Sequence, residues 1–254
     1  HMDPSRVDYV VCNHAEPDHS SGFPQVMKAC SRAELVCNAK CREALGRHYD
    51  TSGWKFRIVK DGDILPMGRR NLTFLDTPMV HWPESMFTYV PEEKLLFSMD
   101  AFGQHFASSG RFDDEEALDI IMAEAKTYYA NIVMLYGRSI SAVLERAATI
   151  PIETIAPSHG VIWRSHIAEI LKAYAGWVVC RPEAKVLVIY DTMWKSTEQM
   201  ASAILKGASE CPVEAKLYNV RVSNPTILAT EILDAATIAF GSPTLNGTLM
   251  PEMA

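Results

Sequence analysis

No run of apolar residues approaches the ~20 needed to span a bilayer, and the N-terminus lacks the charged-then-apolar pattern of a secretory signal. A cytoplasmic location is therefore the expectation. Basic charge is also scarce: 24 Lys and Arg face 31 Asp and Glu, for a formal charge of −7. Nucleic-acid binders usually present a basic face, so a phosphate-backbone partner is excluded, whereas a basic redox partner is tolerated. The six cysteines (Cys12, Cys30, Cys37, Cys41, Cys180 and Cys211) are spread thinly through 254 residues. A chain of that size needs no staples, so they read as free thiols in a reducing compartment. Cys37 and Cys41 could form half of a zinc site, but no second pair follows at finger spacing. Repeats and low-complexity segments are absent, and 48% hydrophobic with 22% charged residues is the composition of a globular protein with room for two domains. His1-Met2 reads as the remnant of a cleaved tag, and both chain ends read as cut.

The apolar patterning divides the chain. Val7 to Cys12 is a β-branched and aromatic run that reads as a buried strand and leads straight into His14-Ala15-Glu16-Pro17-Asp18-His19. A loop entering a helix is expected over 22–30 and a helix over 41–49. Strands are expected over 35–38, 56–60, 72–76, 86–90, 94–98 and 152–156. Between Asp113 and Arg146 apolar residues recur at three- and four-residue steps, a helical period, and 165–179 reads as a closing amphipathic helix. After the linker Arg181-Pro182-Glu183 the character changes. Lys185 to Tyr190 is a continuous apolar strand of the kind buried on both faces of a parallel sheet. A helix (197–210), strand (213–219), helix (226–234) and strand (236–240) follow, a β-α-β-α-β pattern. The expected domains are 3–181 and 184–254, both incomplete.

The hexapeptide places His14, Glu16, Asp18 and His19, all metal-ligating types, on one loop, and an extended chain would direct neighbours toward different metals. A solvated polar loop with imidazoles capping backbone groups is equally open for these six residues alone. Three further candidates stand at the ends of strand-like runs: His81, Asp100 and His159. Each alone has a bland explanation, as a hydrogen-bonded histidine or a turn aspartate. Met79, Trp82, Phe102 and Phe106 are candidates for an apolar wall nearby, although such residues are more often plain core. In the second region, Thr192, Met193, Trp194, Ser196 and Thr197 join a strand to a helix N-terminus where amides and hydroxyls can hold a phosphate, or can form an ordinary capping box.

The pattern His14-x-Glu16-x-Asp18-His19 with His81, Asp100 and His159, and the flanking Asp100-Ala101-Phe102-Gly103 and Ala156-Pro157-Ser158-His159-Gly160, resembles the di-iron site of flavodiiron proteins. The resemblance covers nearly the whole chain. It implies an α/β architecture, a metallo-β-lactamase-like αββα sandwich followed by a flavodoxin-like doubly wound parallel sheet. It further implies one iron on His14, Glu16 and His81, a second on Asp18, His19 and His159, and Asp100 bridging them. Zinc hydrolases of the same fold normally have a second histidine where Glu16 stands. The extra carboxylate suits a metal pair that must reach a higher total charge when oxidised, although all-N/O ligands also admit zinc or manganese. The 192–197 loop resembles a flavodoxin phosphate loop, with Trp194-Lys195 where short-chain flavodoxins have Thr-Gly. Pro243, Thr244, Leu245, Asn246 and Gly247 resemble the loop lying against the isoalloxazine ring. The implied cofactors are two irons and FMN, the substrates O2 or NO, the donor rubredoxin or a similar small protein, and the assembly a homodimer, or a tetramer built from head-to-tail dimers. The alternatives are a zinc-dependent hydrolase or thioesterase carrying a flavodoxin-like passenger, and a flavodoxin-like carrier with an inert metal domain.

Overall fold

Alternation along the short strands fixes which face each residue takes. In the computed structural model, which describes residues 3–254 and so leaves the reading of His1-Met2 outside it, strand β1 (Tyr9–Val11) is followed by helices α1 (Pro17–Ser20) and α2 (Phe23–Ala29). Then come β2 (Glu34–Cys37), α3 (Ala39–His48), β3 (Lys55–Ile58), β4 (Ile64–Pro66), β5 (Asn71–Asp76), β6 (Met86–Val90) and β7 (Leu95–Met99). Helices α4 (Leu118–Tyr128) and α5 (Gly137–Ala147), strand β8 (Thr154–Pro157) and helix α6 (Ile167–Trp177) follow. The chain ends in β9 (Glu183–Tyr190), α7 (Ser196–Ala208), β10 (Glu214–Asn219), α8 (Pro225–Ile232) and β11 (Ala235–Gly241). No helix among the described residues is long and apolar enough to cross a membrane.

Spatially the residues fall into two compact units, one of residues up to 125 with 135–172, the other of 126–134 with 173–254. In the first, β1, β2 and β3 form a parallel sheet, and β4 to β8 form a five-stranded sheet that is antiparallel except for the β7–β8 pair. Val36 on β2 faces Phe74 and Met86 of the larger sheet, while its neighbours Leu35 and Cys37 pack with Cys41 and Leu45 of α3. On the far side Leu75, Phe87 and Leu96 meet Val143 and Ala147 of α5. The layers therefore run helix, sheet, sheet, helix, the expected αββα sandwich.

The helical period across 113–146 does not yield one helix. A 3-10 turn at Asp113–Glu115, a π-helical stretch at Tyr129–Val133 and a 3-10 turn at Met134–Tyr136 interrupt it. Tyr129, fully buried, has its ring 5.0 Å from that of Tyr174 and 5.3 Å from that of Trp177. A π-bulge adds a residue to the turn and re-aims the side chains after it.

In the second unit β10, β9 and β11 form a parallel sheet in that order, as expected of a doubly wound domain. Val188, Tyr190 and Ala201 of α7 make its core with Leu217 and Ala239. Below the sheet lies a charge network: Asp234 accepts from Lys185 Nζ (2.6 Å) and from Lys126, and Glu231 binds Lys185 and Lys216. Burial pushes the Asp234 carboxyl up, but its hydrogen bonds from Lys126 and Lys185 outweigh this and hold it below the usual range. A depressed folded-state pKa stabilises the fold above the unfolded value near 4 and loses that stabilisation as pH falls through the folded value. Denaturant unfolding of Asp234→Asn at pH 7 and pH 3 is thus expected to show a smaller loss on acidification than wild type.

Candidate metal centre

Each ligand-type side chain is set by a local device at the edge of the two sheets. The Asn13 carbonyl accepts from Met86 N (3.0 Å) and its side chain from Thr88 Oγ1 (2.7 Å), so the residue before His14 is pinned to β6. The chain then does not stay extended: Pro17 opens the helical turn α1, and the Glu16 carbonyl accepts from His19 N (3.0 Å) and Ser20 N (2.9 Å). The expected alternation is replaced by a bend because proline pre-sets the first helical position. Glu16 thereby faces one way, and Asp18 and His19 the other. His81 lies on the loop between β5 and β6, held by Met79 N to Trp82 O (2.8 Å) and Trp82 N to Ser85 Oγ (3.1 Å). Asp100 follows β7 in a turn closed by Gly103 N to Asp100 O (3.0 Å), and His159 follows β8, its carbonyl taken by Gln104 N (3.1 Å).

These devices bring all seven candidates together in two groups. His14, Glu16, His81 and Asp100 offer ligand atoms within 4.8 Å of one another, and so do Asp18, His19 and His159. Glu16 Oε2 is 3.1 Å from both His14 Nε2 and His81 Nε2. Asp100 turns one oxygen to each group: Oδ2 lies 3.2 Å from His14 Nε2 and 3.4 Å from His81 Nε2, and Oδ1 lies 3.0 Å from His19 Nε2 and 3.2 Å from His159 Nε2. Asp18 Oδ2 closes the second group at 3.5 Å from His19 Nε2 and 3.3 Å from His159 Nε2. Neighbouring ligands bonded at about 2.1 Å sit about 3.0 Å apart in an octahedron and about 3.4 Å apart in a tetrahedron, so these separations are polyhedron edges.

Three carboxylates and four imidazoles crowd together in the cluster. Burial pushes the His19 and His81 imidazoles down, but hydrogen bonding and charge from Asp100, with Glu16, raise both. Burial likewise pushes the Asp100 carboxyl up, and hydrogen bonds from His159, His19 and His81 hold it far below the usual range. His14 Nδ1 faces the Glu84 carboxylate at 2.9 Å, an acceptor, and Nε2 is the ring nitrogen turned toward Glu16 Oε2 and Asp100 Oδ2. Cations between these atoms would be held by carboxylate oxygens and ring nitrogens together, and the residues fit a two-metal centre. A cleft of about 370 Å³ opens on the Asp18, His19 and His159 side, with Phe23 and Met99 as apolar lining. Phe102 is core instead, 1% exposed, with its carbonyl taken by Trp163 Nε1 (2.8 Å).

In the second unit β9 and β11 are parallel neighbours with Tyr190 opposite Gly241, so the loops after them emerge side by side. A β-carbon on Gly241 would stand 3.0 Å from Thr197 Cγ2, which shows how closely they approach. Among the described residues Thr192 Oγ1 is buried without a hydrogen-bond partner, which a phosphate oxygen would supply. Met193 and Trp194 project into solvent, Trp194 at 86% exposure, and Lys195 takes a left-handed conformation that turns the chain into α7 at Ser196–Thr197. Pro243 and Thr244 lead into a tight turn in which Asn246 and Gly247, both at positive φ, reverse the chain between bridged Leu245 and Thr248. The arrangement fits a phosphate beside a flat ring system.

Residues 1–160 match the model of the ODP family beta lactamase. The chain is 46% identical over 254 residues to a nitric oxide reductase of Moorella thermoacetica, covering 99% of this chain and 64% of that protein. The flavodiiron protein of Giardia intestinalis superposes with a TM-score of 0.94 at 38% identity, over 99% of this chain and 62% of its own. The chain belongs to the flavodiiron protein family. The rubredoxin oxygen:oxidoreductase of Desulfovibrio gigas matches with a TM-score of 0.95 at 33% identity, over 99% of this chain and 64% of that one. This flavodiiron chain thus spans under two thirds of the length of these relatives.

Three supports of the candidate metal site carry no signal in the sequence. Glu84 lies 70 positions from His14 and carries no motif signal. Gln104, wholly buried, accepts from Val161 N (2.7 Å) and braces the loop after His159. Asp113, also wholly buried, accepts from the backbone of Arg164, Ser165 and His166 at the entry to α6. Gly160 is required where it stands: φ is +79° and a β-carbon would lie 2.0 Å from Gln104 Oε1 and 2.8 Å from the Gln104 carbonyl. Gly160→Ala is expected to cost about 2–4 kcal/mol through left-handed strain and loss of the Gln104 brace. A urea midpoint within error of wild type would contradict this.

Proposed function

We propose that the full-length protein is an oxidoreductase that reduces O2 to water, NO to N2O, or both, at a non-haem di-iron site with electrons delivered through FMN. The observation that carries this is Asp100, whose two oxygens face two separate groups of imidazoles. Glu16 adds a third carboxylate to the set, which favours a redox iron pair over zinc. His14, Glu16 and His81 would hold one iron, Asp18, His19 and His159 the other, with Asp100 shared. Bound irons supply two electrons and Lewis acidity at adjacent centres. The protein's contribution is to hold seven ligands in place before substrate arrives and to leave a cleft at the His19 and His159 side for a diatomic gas. Thr192, Ser196 and Thr197 would bind the FMN phosphate at the start of α7, with Met193, Trp194 and the 243–247 loop around the ring. Rubredoxin or a similar small protein is the proposed donor. A homodimer, or a tetramer built from head-to-tail dimers, acting in the cytoplasm, is the proposed assembly. The Moorella and Desulfovibrio names support both gases.

Stopped-flow mixing of the reduced full-length protein with O2 and, separately, with NO tests the proposal. Rapid flavin reoxidation by at least one gas, with water or N2O as product, is expected. Inertness to both gases, together with ester or thioester hydrolysis by a zinc-loaded form, would sink it. Thr192→Val is expected to weaken FMN binding about 10-fold, the worth of one hydrogen bond to a charged group, in a fluorescence-quenching titration.

A further inference from the structure

Glu84 lies outside the seven ligand-type residues yet meets one of them, His14, directly. It sits on the loop between β5 and β6 and is 3% exposed. Its Oε1 accepts from His14 Nδ1 at 2.9 Å and from Ala15 N at 3.2 Å. Its own carbonyl accepts from Asn38 Nδ2 at 2.9 Å. Asn38 is in turn fixed, donating to Asp76 Oδ1 (2.9 Å) and accepting from Cys41 N (2.9 Å) as the cap of α3. Glu84 is therefore anchored from behind while its carboxylate grips the His14–Glu16 segment from two sides.

An imidazole free in water exchanges its single proton between two nitrogens, and a proton on Nε2 would block that nitrogen as a ligand. A buried carboxylate against Nδ1 holds the proton there, leaves the Nε2 lone pair free and increases the donor strength of the ring. His14 Nε2 is the nitrogen that faces Glu16 Oε2 and Asp100 Oδ2. The Ala15 amide bond extends the same control to the backbone between His14 and Glu16, so two ligands of one group depend on one carboxylate.

We infer that Glu84 is a positioning residue that sets the His14 tautomer and the geometry of the His14–Glu16–His81 half of the centre. The inference rests on the di-iron proposal for its metal. Its effect is one-sided: without Glu84 the iron on that half loosens, and the iron on Asp18, His19 and His159 does not.

The test uses the full-length protein with Glu84→Leu, which keeps bulk but removes the acceptor, and Glu84→Gln, which keeps an acceptor but removes the charge. Iron release to an excess of chelator is followed in time, and the 15N spectrum of the His14 ring is recorded in metal-free protein. In Glu84→Leu one of two irons is expected to bind 10- to 100-fold more weakly and leave correspondingly faster, the other at the wild-type rate. Glu84→Gln falls between, and keeps the measurement interpretable should the leucine variant not fold. The His14 proton is expected on Nδ1 in wild type and on either nitrogen in Glu84→Leu. Unchanged release in both variants, or equal loosening of both irons, overturns the inference, since a general loss of structure would move both. If wild type holds no iron while its His14 proton sits on Nδ1 and moves in Glu84→Leu, the positioning role stands and the di-iron proposal falls.

Discussion

Asp100→Asn in the full-length protein is expected to cut O2 or NO consumption by more than about 100-fold, beyond what loss of a partner behind a ligand commands. The carboxamide keeps one oxygen, so at most one of the two imidazole groups retains a ligand at this position. The other group meets an N–H2 donor where Asp100 now turns an acceptor. Two facts make the substitution decisive. Asp100 is 1% exposed, so no water can take its place cheaply, and its oxygens divide cleanly, Oδ2 toward His14 and His81, Oδ1 toward His19 and His159. The variant should bind fewer than two irons while its secondary structure, read by far-UV circular dichroism, matches wild type. Undiminished gas consumption would show that the metal domain is inert.

Asp113→Ala carries the largest expected loss of stability. The carboxylate accepts from Arg164 N (3.0 Å), Ser165 N (3.1 Å) and His166 N (2.7 Å) and is wholly buried. It ties the turn before α4 to the segment entering α6, beside Trp163, which is itself fully buried and bonded to Ile155 on β8. Removing it leaves three amides without their acceptor, and hydrogen bonds to a charged group contribute about 1.5–3 kcal/mol each before relaxation. A net loss of about 3–5 kcal/mol is expected, measured as a shift in the urea midpoint at constant slope. Because β8 delivers His159, weaker metal retention should accompany it. A loss under about 1 kcal/mol would show that water replaces the carboxylate.

Legibility in the sequence followed the reach of local signals. His14, Glu16, Asp18 and His19 are legible because four ligand-type residues crowd into six positions, and Asp100 and His159 because each follows a strand closely; His81 instead lies on the loop well past Asp76, where β5 ends. The strands themselves were readable from β-branched runs, apart from β4, whose three residues end in Pro66 and give too short a pattern. The helical turn at Pro17–Ser20 is not legible, since ligand spacing alone does not distinguish an extended loop from a bend. The break at Tyr129–Val133 was hidden for a different reason: a 3.6-residue period continues on either side of a π-bulge, and only the buried contact of Tyr129 with Tyr174 and Trp177 reveals it. Glu84, Gln104 and Asp113 share one property. Each acts on groups far away in sequence, mostly backbone amides, which carry no residue identity for a reader of sequence to notice.

X-ray absorption spectroscopy of the purified full-length protein tests the central claim most directly, because it reports metal identity, ligand type and metal–metal distance together. The account predicts two irons per chain with nitrogen and oxygen ligands only and a second iron about 3.5–4 Å away. Two zinc ions, or a single metal with no second scatterer at that distance, would contradict it.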